Sequence, residues 1–218
     1  KKCQIMQYNP LTALLIFVAI ASLFFVVFRP VKGWYWLLKN NWQSNEKTVM
    51  EDILKQLYRL ESYGAETDIN ALTNSLKIKD SLIIDALHKM SVNELVKVEG
   101  DLLRLTKEGR QYALKIIRVH RLWEKYLAEK TGFDKSEWHD RAEEMEHVLS
   151  HEETNVLADQ LGNPMYDPHG DPIPSTFGDL MEIDGEPLSS LSVNSLGRIV
   201  HIEDEPDVIY RQILAENI

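Results

Sequence analysis

The segment EEMEHVLS, residues 143–150, places three glutamates and a histidine within five consecutive positions. In a helix, Glu143, Glu146 and His147 stand at i, i+3 and i+4 and therefore share one face. Like charges at this spacing destabilise a helix by about 0.2–0.5 kcal/mol per pair unless a cation lies between them. The crowding suggests a set of metal ligands, although a solvated acidic helix face has the same pattern.

A second pair of metal-ligand types, His120 and Glu124, lies at i, i+4 on the preceding predicted helix, and His139 extends the first stripe. A short loop at Gly132 would make the two helices antiparallel and bring the stripes together. Carboxylates and imidazoles without a thiolate suit Mn(II), Fe(II) or Zn(II). Hydrolytic metal catalysis would use the same groups. The chain has no nucleophile motif, phosphate loop or His-Glu-x-x-His pattern, so we predict that it is not an enzyme.

The residues before these helices have helical periodicity in three segments. One predicted helix runs through residues 46–62, with Ser44 or Asn45 as its cap. Two shorter helices follow at about 69–76 and 80–90. This arrangement predicts a helix followed by a helix-turn-helix unit.

Two short β-type runs, Leu95–Val98 and Leu102–Leu105, flank a turn at Gly100 and predict a hairpin. A helix-turn-helix unit followed by a hairpin is typical of a winged helix, whose second short helix enters the DNA major groove. Helical hairpins without a DNA role share this pattern. The candidate DNA contacts are Lys77, Lys79, Ser81 and Lys89, with Arg104 and Lys107 on the wing.

The charge is distributed unevenly along the chain, whose net charge is −10. Residues 122–218 hold 6 Lys and Arg against 22 Asp and Glu, a net of −16, whereas residues 46–121 hold 13 against 12. Phosphate would be repelled by the acidic half, so a DNA-binding surface must lie in the earlier half. A single cysteine, Cys3, excludes an internal disulfide and a thiolate zinc site.

The uncharged run Leu11–Phe28 has 18 residues and predicts a transmembrane helix. Arg29 and Lys32 follow it, and then the aromatic residues 34–36, which is the order of a membrane exit. The excess of positive charge after the run favours a cytoplasmic location for the C-terminal side. The bulky residues that follow disfavour a signal peptide.

The last part of the chain carries weaker signals. Residues 163–174 hold four prolines and a glycine, which predicts an extended linker, and residues 188–218 alternate weakly, which suggests short strands. The predicted segments are a membrane exit (1–43), a winged helix (44–110), helices that carry the candidate metal ligands (111–163), a linker (164–187) and an incomplete β domain (188–218).

Three phrases in this order resemble the DtxR/MntR family of metal-dependent repressors: LTKEGRQYALKIIRVHRLWEKYL, WHDRAEEMEHVLS and DPHGDPIP. The resemblance covers roughly residues 46–175. It implies a mainly α-helical, winged-helix protein that dimerises through the helices after the wing. It also implies that Fe(II) or Mn(II) activates binding to operators upstream of metal-uptake genes. The segment PLSSLSVNSLGRIVHIEDEP resembles the start of the SH3-like domain found in some members.

The resemblance also implies two metal sites. The primary site would contain Asp52, Glu143, Glu146 and His147, and the ancillary site would contain His120, Glu124 and His139. An ion in the primary site would bridge the DNA-binding and dimerisation domains.

Lys55 departs from the manganese-type pattern, which has a second carboxylate at this position, so the two-metal arrangement of those members does not carry over. Asp52 and Glu143 stand where iron-type members often have sulfur ligands. The ligand set favours Mn(II), with Fe(II) as the next choice.

The phrase FRPVKGWYWLL resembles the end of the last membrane helix of ABC-type metal-ion permeases. We therefore expect a metal-dependent repressor fused to a permease, with partners that include operator DNA, a second copy of the chain and the transporter's ATPase and metal-binding subunits. The expected location is the inner membrane, with the regulatory domain on the cytoplasmic side or released from it by cleavage within residues 40–48. The alternative is a cytoplasmic metal-sensing domain that gates the attached transporter without binding DNA.

Overall fold

The structure is a computed structural model that describes residues 11–18, 20, 34–181, 185–203 and 207–216. The chain divides into two compact units, Lys1–Thr48 and Val49–Ile218. In the first unit, residues 11–18 are helical. No helix in the described part of the chain is long and apolar enough to cross a membrane. Much of the run Leu11–Phe28 lies outside the described residues, so the transmembrane helix stays a prediction.

Helix α1 spans Trp34–Ser62. The cap expected at Ser44 or Asn45 is wrong, because both residues lie within this helix. The segment expected to be an exposed cleavage site, residues 40–48, is helical as well. Polar residues such as Ser and Asn are favoured at caps but also occur inside helices when their neighbours continue the helix.

The winged-helix prediction agrees with the elements observed after α1. Strand β1 (Thr67–Asp68) leads into α2 (Ile69–Leu76) and α3 (Asp80–Val92), and β2 (Val96–Glu99) pairs with β3 (Leu102–Leu105) as an antiparallel hairpin. The sheet has the order β1-β3-β2. Lys77 adopts the left-handed conformation (φ 54°), which ends α2 and separates it from α3.

One hydrophobic core joins α1 to the winged helix. Its fully buried side chains include Ile53, Leu54 and Leu57 from α1, Leu72 from α2, Ile83 and Met90 from α3, and Ala113 from the next helix. Because three α1 positions at helical spacing are buried here, the remaining faces of α1 are available for Asp52 and Lys55.

Three helices follow the wing: α4 (Lys107–Lys130), α5 (Lys135–Glu146) and α6 (His151–Gln160). The Thr106 side chain caps α4, and Ser150 and Glu153 form a capping box at the start of α6. Gly109 lets α4 approach the wing, since a Cβ there would lie 2.0 Å from the carbonyl oxygen of Leu95. Leu122 on α4 belongs to a second core with α6.

Residues 163–174 are not an extended linker. Asp167, His169 and Ile173 are buried, and the guanidinium groups of Arg118 and Arg121 donate to the carbonyl oxygens of Pro174 and Pro172, at 2.6 Å each. Outside regular secondary structure, the carbonyl groups of this proline-rich segment need other hydrogen-bond donors, and two arginines of α4 provide them.

The strands expected in residues 188–218 are absent from the part that the structure describes. A 3-10 helix spans Leu188–Ser190, and α7 spans Asp207–Ala215 with Tyr210 buried. The apolar residues Tyr210, Ile213 and Leu214 recur at helical spacing. The prediction of short strands was therefore wrong for α7, and the described residues do not show the start of an SH3-like domain.

Candidate metal centre

The primary cluster brings together residues from distant parts of the chain. Asp52 lies on α1. Glu146 is the last residue of α5, and His147 is the C-cap of α5. His147 Nε2 lies 3.2 Å from Asp52 Oδ1 and 3.6 Å from Glu146 Oε1. One potential ligand atom from each residue lies within 4.8 Å of the others. This spacing allows the three groups to bind a common ion.

The orientation of His147 is set by Glu51, a residue that the sequence did not single out. His147 Nδ1 lies 2.8 Å from Glu51 Oε2, and Glu51 Oε1 accepts a hydrogen bond of 2.7 Å from the Tyr112 hydroxyl. Metal-binding histidines commonly donate their other ring nitrogen to a carboxylate, which aims the ligating nitrogen at the ion. The sequence signal for Glu51 was its spacing, because this acidic residue stands three positions before Leu54 on the apolar face of α1.

The charges around His147 favour its protonated form when no metal is bound. Burial lowers the pKa of His147, but hydrogen bonds to Asp52 and Glu51 outweigh it and raise the pKa to about 9. A metal ion needs the neutral imidazole, so binding would release this proton.

Lys55 lies between the carboxylates of Glu146 and Glu143, beside the primary cluster. Its Nζ lies 2.8 and 3.0 Å from the two oxygens of Glu146 and 3.5 Å from Glu143 Oε1. Burial would lower the pKa of Lys55, but the nearby carboxylates of Glu146, Glu143 and Asp52 outweigh it, and the pKa is raised. The ammonium group is therefore the positive charge that offsets this acidic face.

Glu143 lies apart from the three-residue primary group. Its side chain is half exposed and reaches Lys55 on one side and His139 Nε2, at 3.5 Å, on the other. The hydrogen bond to His139 is the main cause that lowers the pKa of Glu143 to about 2. The residue borders both clusters, and its expected membership of the primary site stays a prediction.

The ancillary cluster is more deeply buried and contains all three predicted residues. Around Glu124 Oε1 lie His120 Nε2 at 3.2 Å and His139 Nδ1 at 3.6 Å. Burial would raise the pKa of Glu124, but the neighbouring imidazoles outweigh it and hold it well below its usual range. His120 Nδ1 also lies 2.7 Å from Glu146 Oε2, so one imidazole connects the two clusters.

His169, from the segment that was expected to be a linker, points toward the ancillary cluster. Its Nε2 lies 3.8 Å from Glu124 Oε1, and the centre of its ring lies 6.1 Å from that of Trp138 and 5.1 Å from that of Tyr210. Gly170 next to it has φ +93°, and a Cβ there would lie 2.0 Å from the carbonyl oxygen of Val200. The phrase DPHGDPIP was recognised in the sequence, but this contact was not predicted.

The donor atoms of the ancillary cluster fit a divalent cation. Glu124 Oε1 and His169 Nε2 are buried and make no hydrogen bond to any residue that the structure describes. Buried polar atoms in this state usually indicate a missing water or ion. A cavity of about 470 Å³ adjoins the cluster, with Lys55, His120, Glu124 and His139 in its wall. The cavity gives an ion a route to these ligands.

All six predicted DNA contacts are exposed: Lys77, Lys79, Ser81, Lys89, Arg104 and Lys107. Arg104 forms ion pairs of 3.6 Å with Glu66 and Glu99. The exposed face of α3 carries Asp80 and Asp85 together with the apolar residues Leu82 and Ile84. The structure places the candidate contacts on the surface, and the adjacent acidic residues offset part of their charge.

Comparison with known proteins places this arrangement in a family. Residues 106–175 match the model of the iron dependent repressor metal binding and dimerisation domain. The diphtheria toxin repressor of Corynebacterium glutamicum is 33% identical over 103 residues, which cover 47% of this chain and 45% of that protein. A probable metal transport system membrane protein of Chlamydia pneumoniae is 52% identical over 50 residues, which cover 23% of this chain and 11% of that protein.

Solved structures agree over a longer region. The structure of a manganese-dependent transcriptional repressor in complex with manganese is 28% identical, with a TM-score of 0.68, and the match covers 77% of this chain and 79% of that one. This chain spans less than half the length of the two curated relatives named above. Residues 106–175, the region that matches the family model, carry the ancillary ligands and the α5 end of the primary cluster. A second solved structure, of a manganese-dependent transcriptional repressor, is 31% identical, and the match covers 62% of this chain and 69% of that one, so the chain belongs to the DtxR/MntR family of metal-dependent repressors.

Proposed function

We propose that the protein is a metal-dependent DNA-binding repressor of metal-uptake genes, activated by Mn(II) or Fe(II). The observation that carries this proposal is the position of Asp52 on α1, within reach of Glu146 and His147 at the end of α5. An ion held by these three residues joins the helix that packs against the winged helix to the helices of the metal-binding domain. Metal binding and the orientation of the DNA-reading elements are thereby linked.

The ligand chemistry supports the choice of ion. The primary cluster offers two carboxylates and one imidazole, and the ancillary cluster offers one carboxylate and two imidazoles. Neither contains sulfur, so the oxygen-rich primary cluster suits the harder ions Mn(II) and Fe(II). One relative by structure is a manganese-dependent transcriptional repressor and one relative by sequence is an iron-dependent repressor, which supports the same two ions here.

Activation follows from the difference in affinity between two arrangements of the domains. An ion that contacts α1 and α5 together binds more tightly to the arrangement in which these helices are close, and it shifts the population toward that arrangement. The side chains of Lys77, Lys79, Lys89 and Ser81 would then meet the phosphates and bases, with Arg104 and Lys107 at the wing. A homodimer would present two such surfaces to an operator with two half-sites.

We also propose that this repressor is fused to the end of a metal-ion ABC permease in the inner membrane, with the regulatory domain on the cytoplasmic side or released there by cleavage. The apolar run Leu11–Phe28 with its positive and aromatic flank supports this arrangement. The similarity to a Chlamydia protein named as a metal transport membrane protein supports it as well. The transporter's ATPase and metal-binding subunits would be further partners.

A second candidate function is a metal-sensing domain that gates the attached transporter and does not bind DNA. The exposed face of α3 favours this alternative, because Asp80 and Asp85 lie there and the helix carries one lysine, Lys89, and no arginine. Carboxylates on a recognition helix repel phosphate and weaken DNA binding. The two functions share the metal site and differ only in what the metal-bound state contacts.

DNA binding by the purified 218-residue chain separates the two functions. The DNA comes from upstream of the chain's own operon, and binding is measured with and without Mn(II) and Fe(II) at several salt concentrations. A repressor binds tightly only with metal, and its affinity falls steeply with salt because phosphate contacts release counterions. Metal binding without DNA binding at any salt concentration would instead support the gating function.

The variant Glu146→Ala/His147→Ala tests whether this site confers the metal dependence. We expect it to lose metal-activated DNA binding. Glu144→Ala is the matched control, because Glu144 is exposed on the same helix. Metal-dependent DNA binding that persists in the double variant would refute the assignment of the site.

A further inference from the structure

The ammonium group of Lys55 lies among carboxylates, in a position that a metal ion could otherwise occupy. Asp52 and Lys55 stand three residues apart on α1 and therefore face the same side of the helix. The ammonium nitrogen lies 2.8 and 3.0 Å from Glu146 and 3.5 Å from Glu143, and the Lys55 side chain is only 23% exposed. A fixed positive charge thus fills the space between two carboxylates of the metal centre.

The contacts of Glu146 limit how many ions this cluster can hold. A carboxylate has about four lone-pair directions on its two oxygens. Lys55 takes one on each oxygen, and His120 Nδ1 takes a second on Oε2, at 2.7 Å. The direction left over is on Oε1, the oxygen that lies 3.6 Å from His147 Nε2. Glu146 can therefore bind one ion on the His147 side while Lys55 stays in place.

We propose that Lys55 is a tethered cation that takes the place of a second metal ion, so that the primary cluster binds a single ion. The inference rests on the proposed function, since it assumes that Asp52, Glu146 and His147 bind metal. In two-metal sites the ions lie about 3.5–4 Å apart and share carboxylates. Here the ammonium repels a second ion from Glu143 and Glu146, and position 55 provides no ligand for it.

The number of Mn(II) ions in this cluster tests the proposal. Electron paramagnetic resonance distinguishes an isolated Mn(II) ion from a spin-coupled pair that shares a carboxylate, and equilibrium dialysis counts the ions bound per chain. We expect the full 218-residue chain to show isolated ions only. Lys55→Glu removes the tethered charge and adds a carboxylate, so we expect it to bind an additional ion per chain and to give the coupled-pair spectrum.

Lys115→Glu is the matched control. Lys115 is exposed on α4, away from both clusters, and its substitution makes the same change in net charge. It should leave the ion count and the spectrum as they are in the wild-type chain. An additional ion in this control as well would show that net charge, rather than position 55, sets the count, and would overturn the proposal.

The remaining outcomes separate this inference from the function on which it rests. A coupled pair in the wild-type chain means that Lys55 has left the cluster, which overturns the inference and leaves the repressor function standing. Isolated ions in a folded Lys55→Glu variant also overturn it. If neither chain binds Mn(II) at Asp52, Glu146 and His147, the proposed metal activation fails together with the inference. The wild-type spectrum is informative alone if the variant does not fold.

Discussion

The primary and ancillary clusters lie side by side and are built from the same residue types, yet they differ in how far apart in sequence their ligands are. Asp52 is 94 residues from Glu146, as the residue numbers show, whereas His120, Glu124 and His139 lie within 20 residues on two adjacent helices. The ancillary cluster depends on the α4–α5 hairpin. The primary cluster depends on α1 meeting the end of α5.

The clusters also differ in their charge when no metal is bound. Glu124 is surrounded by imidazoles at 3.2, 3.6 and 3.8 Å, whereas Glu146 is held by the ammonium of Lys55. The ancillary ligands thus contact one another, whereas in the primary cluster Lys55 and His120 hold Glu146 and Glu51 holds His147. This difference supports the proposal that the ancillary cluster binds an ion locally and that the primary cluster joins α1 to α5.

The largest effect is expected from Glu146→Ala, because this carboxylate contacts both clusters. The substitution removes a primary ligand and leaves Lys55 and His120 without their carboxylate partner. Losing one partner of a buried ion pair costs about 3–5 kcal/mol, and we expect the lower end because Lys55 is partly exposed. Urea unfolding of the metal-free chain measures the loss.

Glu144→Ala is the matched control for this stability measurement, since exposed positions usually change stability by no more than about 0.5 kcal/mol. If Glu146→Ala were as stable as this control, the contacts of Glu146 with Lys55 and His120 would contribute nothing to the fold. Glu146 would then not connect the two clusters energetically.

Breaking each cluster separately should give different results in DNA binding. Asp52→Asn weakens the joint between α1 and α5, so we expect the metal dependence of DNA binding to disappear. His139→Ala leaves the joint intact, so DNA binding should remain metal-dependent but require more metal. Metal titrations followed by gel shift of both variants provide the measurement. Equal losses in the two variants would show that the clusters act as one site.

A smaller effect is expected from Glu51→Gln. Replacing a residue that orients a metal ligand typically reduces metal affinity by about 10–100-fold, and Glu51 orients His147 through a 2.8 Å contact. Calorimetric titration with Mn(II) measures the change. Glu152→Gln, an exposed glutamate of α6, is the control. An affinity that matches this control would mean that His147 is oriented without Glu51.

A pH dependence of the metal-free fold is also expected. The pKa of His147 is raised from 6.5 to about 9 by Asp52 and Glu51, against the effect of burial, and Glu146 also faces it. Because the folded state binds this proton more tightly, the stabilisation is fully present below about pH 6.5 and is lost as the pH rises through about 9. Urea midpoints across this range measure it, and the decline should be smaller in His147→Gln.

Sequence patterns predicted the elements and residue groups that depend on local spacing. The helix-turn-helix unit, the hairpin and the pairing of His120 with Glu124 all follow from residues a few positions apart. The contact of Asp52 with α5 was available only through resemblance to a family. Local spacing contains no information about which distant segment packs against α1.

The features that were missed depend on contacts between distant segments. Arg118 and Arg121 hold the proline-rich residues 163–174 against α4, so a segment with the composition of a linker became part of the core. Lys55 was noted as a departure from a ligand pattern, but its distances from Glu143 and Glu146 required coordinates. In both cases, a side chain of one helix meets a partner that no periodicity connects to it.

The position of Lys55 also has a consequence for how this metal centre can change during evolution. Lysine codons differ from glutamate codons only in the first base, so a single transition replaces the ammonium group with a carboxylate. The surrounding residues Glu143, Glu146 and His120 need not change for that replacement to be tried. If Lys55 sets the number of bound ions as proposed, that number is a trait on which selection can act through one nucleotide.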